Sequence, residues 1–243
     1  MNSELEKILD NVIIQSNEIF HEFLCAYTIH NLGNLGLDSI NRDALVRVKI
    51  DNSTELEPVI ISDLINFNKV YPDFLLESFH GKFIQLWHNC LDDIFSLFVD
   101  LHFNNTRKFP EFKKRTVSID FSSGESVEHQ LKLKLKKDFS FEKFSDKQKW
   151  VNKILNPNKK ADDELLSIKK NVLVRNAVQH HDGKVYEEAI KELGGNGIQL
   201  LDDNGDERNF SLHERCMISI PELYKLKTSI LLVSQMWRRG NCV

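Results

Sequence analysis

The sequence predicts a mainly α-helical protein with a β-containing insertion in its middle and a small β-hairpin before its last helix. Three segments, at about residues 4–32, 82–103 and 222–237, repeat apolar residues at helical spacing, and a fourth runs over residues 162–178. Residues 104–145 are instead polar, basic and rich in β-forming side chains. At 243 residues and 41% hydrophobic composition, the chain is long enough to bury a sizeable core as a single domain.

The first helix is predicted to begin near Glu4, where the apolar repeat starts. Gly33 together with Gly36 is expected to end it, because glycine favours the left-handed conformation that closes many helices. Pro58 and Pro72 interrupt the stretch that follows. This stretch therefore predicts a connector with short helices.

The central and last helices have dense apolar stripes. In the central helix the stripe includes Ile84, Trp87 and Leu91, so this helix is expected to lie in the core and to pack against the helix that carries Arg175. Pro221 precedes the last stripe, and proline is favoured in the first turn of a helix. The last helix is therefore predicted to open at this proline.

Two parts of the chain between these helices predict β-structure. In the insertion, residues 116–121 are rich in β-forming side chains, and the Leu/Lys alternation of residues 131–136 fits an edge strand with its lysines facing outward. Further along, a turn at residues 202–206 separates two short apolar runs, residues 198–201 and 209–212. This second pattern predicts the hairpin before the last helix.

The composition argues against a membrane protein and against a metal or disulfide framework. No apolar run reaches the roughly 18–20 residues that span a bilayer, and the amino terminus lacks the pattern of a signal peptide. The four cysteines show no C-x-x-C pairing. We therefore expect a cytoplasmic protein with reduced thiols, without a metal or another cofactor.

Charge is segregated along the chain. Residues 1–106 carry 6 basic and 16 acidic side chains, residues 107–160 carry 15 and 7, and residues 161–243 carry 11 and 13. A cationic stretch in an acidic protein is a candidate surface for a polyanion such as RNA, and an ordinary solvated surface is the alternative. The candidate RNA-binding residues are Lys113, Lys114, Arg115, Lys132, Lys134 and Lys136.

The most informative stretch, residues 175–183, reads RNAVQHHDG and ends a helical repeat that its final Asp-Gly pair is expected to stop. On an ideal helix Asn176 and His180 share a face, whereas Arg175 and His180 lie about 140° apart. Arg175 and His180 can therefore meet only if the helix frays at His180 or if a second copy of the chain faces the first. This geometry predicts a composite site.

The pattern resembles the R-x4-6-H signature of the HEPN superfamily, the higher eukaryotes and prokaryotes nucleotide-binding domains, in which a polar residue commonly follows the arginine. The continuation through Gly183, Lys184 and Val185 resembles the form common in HEPN proteins of prokaryotic defence and toxin systems. The resemblance implies an all-α bundle that dimerises and, in active members, cleaves RNA without a metal. The partners it implies are an RNA substrate, a second copy of the chain, and an antitoxin or other defence-system protein.

The expected function is therefore a metal-independent endoribonuclease that acts as a toxin or antiviral defence effector. RNA carries a 2′-hydroxyl beside each phosphodiester, so cleavage needs a base for this hydroxyl, a cation for the transition state and an acid for the departing oxygen. We expect His180 to act as base or acid, Arg175 to hold the phosphate, and Asn176 to orient either of them. His181 is a second candidate proton donor.

Two alternatives stay open. A non-catalytic HEPN module would keep the fold and bind nucleic acid, nucleotide or a partner protein. A structural helical adaptor would be favoured if Arg175 and His180 are buried and internally paired, for example with Asp162 or Glu164 as the partner of Arg175; the two adjacent histidines would then cap the helix end. The other seven histidines are scattered along the chain, and the sequence assigns them no role.

Overall fold

The computed structural model of the chain is mainly helical and describes residues 2–37, 39–47, 57–70, 73–112, 117–122, 124–156 and 158–240. Within these ranges it has eight helices and two short antiparallel hairpins. The elements in chain order are α1 (Asn2–Leu37), β1 (Leu45–Val46), β2 (Val59–Ile60), α2 (Ile61–Val70), α3 (Phe74–Phe103), α4 (Val127–Ser140), α5 (Phe144–Leu155), α6 (Asp162–His180), α7 (Glu187–Leu193), β3 (Ile198–Leu201), β4 (Glu207–Phe210) and α8 (Ile220–Gly240). The predicted helical class and the hairpin before the last helix are confirmed.

Helix α3 is the centre of the core. Its predicted stripe is buried along the whole helix, and α3 contacts α1, α4, α5, α6 and α8. The ring of Trp87 lies 5.3 Å from that of Trp237 on α8, and both side chains are fully buried. The expected packing of this central helix against α6, which carries Arg175, is confirmed.

Helix α1 is longer than the sequence predicts. Gly33 and Gly36 do not end it, and α1 continues to Leu37. A glycine inside a helix costs only about 1 kcal/mol relative to alanine, so tertiary contacts can override it. Such a contact exists here, because Asn68 of α2 donates a hydrogen bond from Nδ2 to Asn34 Oδ1 between the two glycines.

The predicted edge strand at residues 131–136 is wrong, because this segment forms the middle of α4. Leu131, Leu135 and Phe139 recur every four residues and so lie on one helix face, with Phe139 buried against the core. The Ser126 hydroxyl caps the helix by accepting a backbone N–H at 3.2 Å. An alternation of leucine and lysine is therefore compatible with a helix when a third apolar residue continues the period.

The other predicted strand of the insertion, residues 116–121, is also wrong for the part that the structure describes. Residues 117–121 form no strand; instead the Gln130 side chain of α4 binds both backbone groups of Asp120. Its Oε1 accepts the Asp120 N–H at 2.8 Å, and its Nε2 donates to the Asp120 carbonyl at 2.8 Å. A side chain thus takes the place of a partner strand. The described part of the insertion contains α4, the start of α5 and irregular segments, but no strand.

Two further expectations concern membranes and thiols. None of the helices in the described ranges is long and apolar enough to cross a membrane. Cys25, Cys90 and Cys216 are free thiols. Cys242 lies outside the described residues.

A buried polar network connects three helices and the second hairpin. The fully buried carboxylate of Glu222 on α8 accepts from Asn171 Nδ2 at 2.8 Å and from Leu201 N at 2.8 Å, and Lys170 Nζ lies 3.1 Å away. The Oδ1 atom of Asn171 lies 2.9 Å from Nε2 of His80 on α3. Because the amide nitrogen of Asn171 is used as a donor, its oxygen accepts from His80, whose imidazole therefore carries its proton on Nε2.

The first prediction is that Glu222→Ala lowers the free energy of unfolding by about 3–5 kcal/mol, because the substitution leaves the donors of Lys170 and Asn171 buried without an acceptor. Urea unfolding followed by circular dichroism measures this change. Glu188→Ala, at an exposed position of α7, is the control and should change stability by less than about 0.5 kcal/mol. A similar loss in both variants would contradict the special role of Glu222.

Candidate functional site

Helix α6 carries the residues of the predicted site, and the chain leaves it by a sharp turn. The helix ends at His180, and Asp182 and Gly183 have φ angles of 53° and 73°. The expected stop at this Asp-Gly pair is confirmed. A Cβ atom at Gly183 would lie 3.2 Å from Cγ and Nε of Arg215, so both the φ angle and the close approach favour glycine.

The segment after this turn is held by a part of the chain that lies just before α8. The Cys216 N–H donates to the Gly183 carbonyl at 2.8 Å, and the Val185 N–H donates to the Glu214 carbonyl at 2.9 Å. These backbone hydrogen bonds fix the direction in which the chain leaves α6. They therefore also fix the surroundings of the last turn of the helix, where His180 lies.

Arg175 is half-buried and has no internal partner in the described part of the chain. Its Nε atom is buried without a hydrogen bond, and no described carboxylate lies within 4 Å of its guanidinium. Asp162, one of the alternative partners, begins the same helix, so it lies about 20 Å away along the axis; it accepts from Asn156 Nδ2 at 2.9 Å instead. Glu164 lies two residues further along and is similarly distant. The positive charge of Arg175 is therefore not neutralised by an ion pair.

His180 is exposed on the last turn of α6. It makes no hydrogen bond, ion pair or ring contact with another described residue. Because α6 stays helical through His180, Arg175 and His180 remain on different faces of one chain, about 140° apart. The helix does not fray to bring them together, and neither residue is buried and paired as a structural adaptor would require.

Asn176 and His181 are joined through Tyr186, a residue to which the sequence analysis gives no role. Burial raises the pKa of Tyr186, and the nearby Asn176 side chain acts against this shift. The rings of His181 and Tyr186 are stacked, with centroids 4.2 Å apart and planes 16° apart. Tyr186 therefore holds the His181 ring against the turn that follows α6.

Two further histidines lie near Arg175. Burial lowers the pKa of His80 to about 4 and that of His88 to about 4, and the positive charge of Arg175 contributes to both shifts. Beside His88, Nζ of the buried Lys147 lies 2.8 Å from Oδ1 of Asp92. Both imidazoles are neutral at pH 7, so they do not compete with Arg175 for an anion.

One of these missed residues has a signal in the sequence. His80 precedes Ile84 by four residues and so falls on the apolar stripe of α3, where a polar side chain indicates a buried hydrogen bond. Tyr186 has no comparable signal, because it lies beyond a turn and meets His181 only after the chain has reversed direction.

The candidate RNA-binding lysines of the insertion lie on α4 and are each ion-paired. Lys132, Lys134 and Lys136 pair through Nζ with Glu128, Asp138 and Asp100, each at 2.8 Å. This pairing reduces the net positive charge that α4 presents to a polyanion. The other three candidates, Lys113, Lys114 and Arg115, lie outside the described residues.

In the described ranges, no group of three or more histidine, cysteine, aspartate or glutamate side chains is arranged to hold a metal ion. The cavity between α3, α4 and α5, the one beside α1 and α2, and the one beside α6 and the second hairpin are each lined by residues other than Arg175, Asn176, His180 and His181.

No family model matches the chain, and neither a curated protein nor a solved structure is similar to it. The resemblance to the HEPN superfamily therefore rests on residues 175–185. The evidence for function is therefore the side chains of this site.

The second prediction is that stability falls as the pH is lowered from 7 to 5. The pKa of His80 is about 4 in the folded protein and about 6.5 in an unfolded chain, so between these values the unfolded chain binds a proton that the folded protein does not. The contribution of His80 is fully present above pH 6.5 and is lost towards pH 4, by up to about 1.4 kcal/mol per pH unit.

Urea unfolding at pH 7, 6 and 5 measures this dependence, and His80→Gln is the matched variant. The variant should be less stable at pH 7 but should show a flatter dependence on pH, because glutamine does not titrate. Equal slopes in the two proteins would contradict the assignment to His80.

Proposed function

We propose that this protein is a metal-independent endoribonuclease whose active site is assembled from two copies of the chain. The observation that carries the proposal is the pair of Arg175 and His180 near the end of α6. The guanidinium has no internal partner among the described residues, and the imidazole is exposed. Arginine binds phosphate oxygens as a planar fork, and histidine is the side chain that most readily donates and accepts protons near neutral pH.

The need for a second copy follows from the helix. Arg175 and His180 lie about 140° apart around α6. In a single chain, a phosphate bound by Arg175 therefore lies on a different face of the helix from His180. A two-fold axis near the end of α6 would place Arg175 of each copy opposite His180 of its partner. Two imidazoles would then be available, one as base and one as acid.

The proposed reaction is a transesterification followed by release of product. One imidazole takes the proton of the 2′-hydroxyl, whose oxygen attacks the adjacent phosphorus atom. The bond from phosphorus to the 5′-oxygen breaks, and a second imidazole, in its protonated form, gives its proton to that oxygen. Arg175 stabilises the extra negative charge on the phosphorane-like transition state. The products are a 2′,3′-cyclic phosphate and a 5′-hydroxyl.

Within this proposal His181 remains the second candidate proton donor, and Asn176 acts on it indirectly. Asn176 lies near Tyr186, and the Tyr186 ring stacks on His181, so the three side chains lie side by side. Asn176 is therefore proposed as a positioning residue. Because unrestrained RNA cleavage would harm the cell, we also propose a restraining partner of the antitoxin type, in keeping with a toxin or defence effector.

The third prediction is that the purified protein cleaves RNA in the presence of EDTA and leaves 2′,3′-cyclic phosphate ends. Arg175→Ala and His180→Ala should each lower the rate by a factor on the order of 10² or more, the usual effect of removing an acid–base group or a preorganised charge. End-labelled RNA fragments resolved on gels measure both rate and product ends.

His129→Ala and Arg239→Ala, at exposed positions of α4 and α8, are the matched controls and should keep the full rate. Thermal melts of all four variants show whether the loss reflects unfolding. If the protein binds RNA but leaves a broad RNA panel intact, the non-catalytic binding module replaces the nuclease; a rate that EDTA abolishes contradicts the metal-independent reaction.

The fourth prediction tests the composite site by mixing two inactive variants. In a dimer of Arg175→Ala with His180→Ala, one arginine and one histidine remain intact on opposite chains. About half of the dimers are mixed, and each of these keeps one Arg175 facing one His180, with His181 as the second proton donor. The mixture should therefore regain up to about a quarter of the wild-type rate. Unfolding and refolding the mixture allows exchange of subunits. A mixture that stays as inactive as its components contradicts the composite site.

A further inference from the structure

A second site is suggested by a cavity of about 290 Å³ between α3, α4 and α5. One side of this cavity is aromatic and is formed by Phe95, Phe112 and Trp150. The ring of Trp150 lies 4.9 Å from that of Phe95 and 5.2 Å from that of Phe112, so the three rings form one continuous surface. The cavity shares no residue with the candidate site of α6.

Trp150 and Phe112 line the cavity, and each side chain is half-buried. The indole Nε1 donates to the backbone carbonyl of Glu111 at 3.4 Å, so the polar edge of this half-buried ring is already bound within the protein. Lys147 Nζ lies over Phe139, which stacks on Phe95 at 3.8 Å. Among the described residues, no lysine or arginine lies over Trp150 or Phe112.

The rim of the cavity is acidic. It carries four carboxylates, those of Glu111, Asp138, Glu142 and Asp146, against the two ammonium groups of Lys149 and Lys153. Asp138 is paired with Lys134 at 2.8 Å. Glu111 and Asp146 have no ion pair within 4 Å in the described part of the chain.

We propose that this cavity binds a small organic ammonium ion, with its positive charge against the faces of Trp150 and Phe112 and close to the carboxylates of Glu111 and Asp146. Aromatic faces carry negative potential and attract cations, most strongly for tryptophan, and the attraction grows when water is excluded. Nearby carboxylates add a direct Coulombic attraction. The proposal is independent of the function proposed for α6.

The size and charge of the cavity argue against other occupants. Its volume is at the lower end of the roughly 300–1,000 Å³ typical of small-molecule sites, which favours a ligand of only a few heavy atoms. A polyanion would meet the carboxylates of the rim, although this region as a whole is rich in basic residues. A wholly apolar ligand would desolvate Glu111 and Asp146 without replacing the lost interactions with water.

The fifth prediction compares two probes of the same shape that differ in charge. Choline carries a quaternary nitrogen, and 3,3-dimethylbutan-1-ol has a neutral carbon in its place. By isothermal titration calorimetry at constant ionic strength, choline should bind saturably in the millimolar range, and the alcohol should bind at least about tenfold more weakly. Equal affinities, or no saturable choline binding in this range, would overturn the proposal.

Variants of the rim and of the wall locate the binding. The double variant Glu111→Gln/Asp146→Asn should weaken choline binding at least about fivefold and leave the alcohol unchanged, whereas Glu188→Gln on α7 should alter neither. Trp150→Leu should also weaken choline; if it fails to fold, Trp150→Phe keeps an aromatic ring and should weaken binding less than the double variant. Unchanged choline affinity in the double variant would overturn the assignment to this cavity.

Discussion

The buried carboxylate of Glu222 is the constraint on which the arrangement of the helices depends. A charge in the core has to be matched by donors, because leaving one uncompensated costs several kcal/mol. Its donors come from α6 and β3, and Asn171 passes the connection on to His80 of α3. Helix α6 therefore cannot shift along α3 or α8 by one turn without leaving polar groups unpaired. Arg175, one turn beyond Asn171, takes its position from this restriction.

The same arrangement determines the electrostatics near Arg175. Two imidazoles lie in its field, and burial keeps both of them neutral at pH 7. On α6 itself, Lys169 pairs with Glu192 and Lys170 pairs with Glu222. A positive charge without a counterion thus stands on a helix whose other cations near the core are paired. An arginine without a carboxylate partner can direct its guanidinium to an anion from outside the chain.

The elements that could be predicted are those that depend on residues close together in the sequence. Ile84, Trp87 and Leu91 repeat at the period of one helix face, and Asp182 with Gly183 provides a local stop, so α3 and the end of α6 follow from the sequence. Helix α4 could not be predicted, because the residues from Leu131 to Lys136 fit the period of a strand as well as that of a helix. Contacts with α3, such as the ion pair of Lys136 with Asp100, favour the helix. The same holds for the two sites. Arg175, Asn176 and His180 belong to one short motif and could be predicted, whereas Tyr186 and the aromatic wall around Trp150 come together only in the folded chain.

The turn after His180 has a consequence for the order in which the molecule is built. Residues 183–185 make backbone hydrogen bonds to residues 213–216, so the chain beyond the turn is held in its final position only when β3, β4 and the segment before α8 are in place. A helix forms from local contacts, but closing a loop of this length comes later in folding. On a ribosome, α6 can therefore form before residues 213–216 are present to hold the chain that follows it. Any chemistry that depends on that turn is withheld from the nascent chain and appears only with the finished fold.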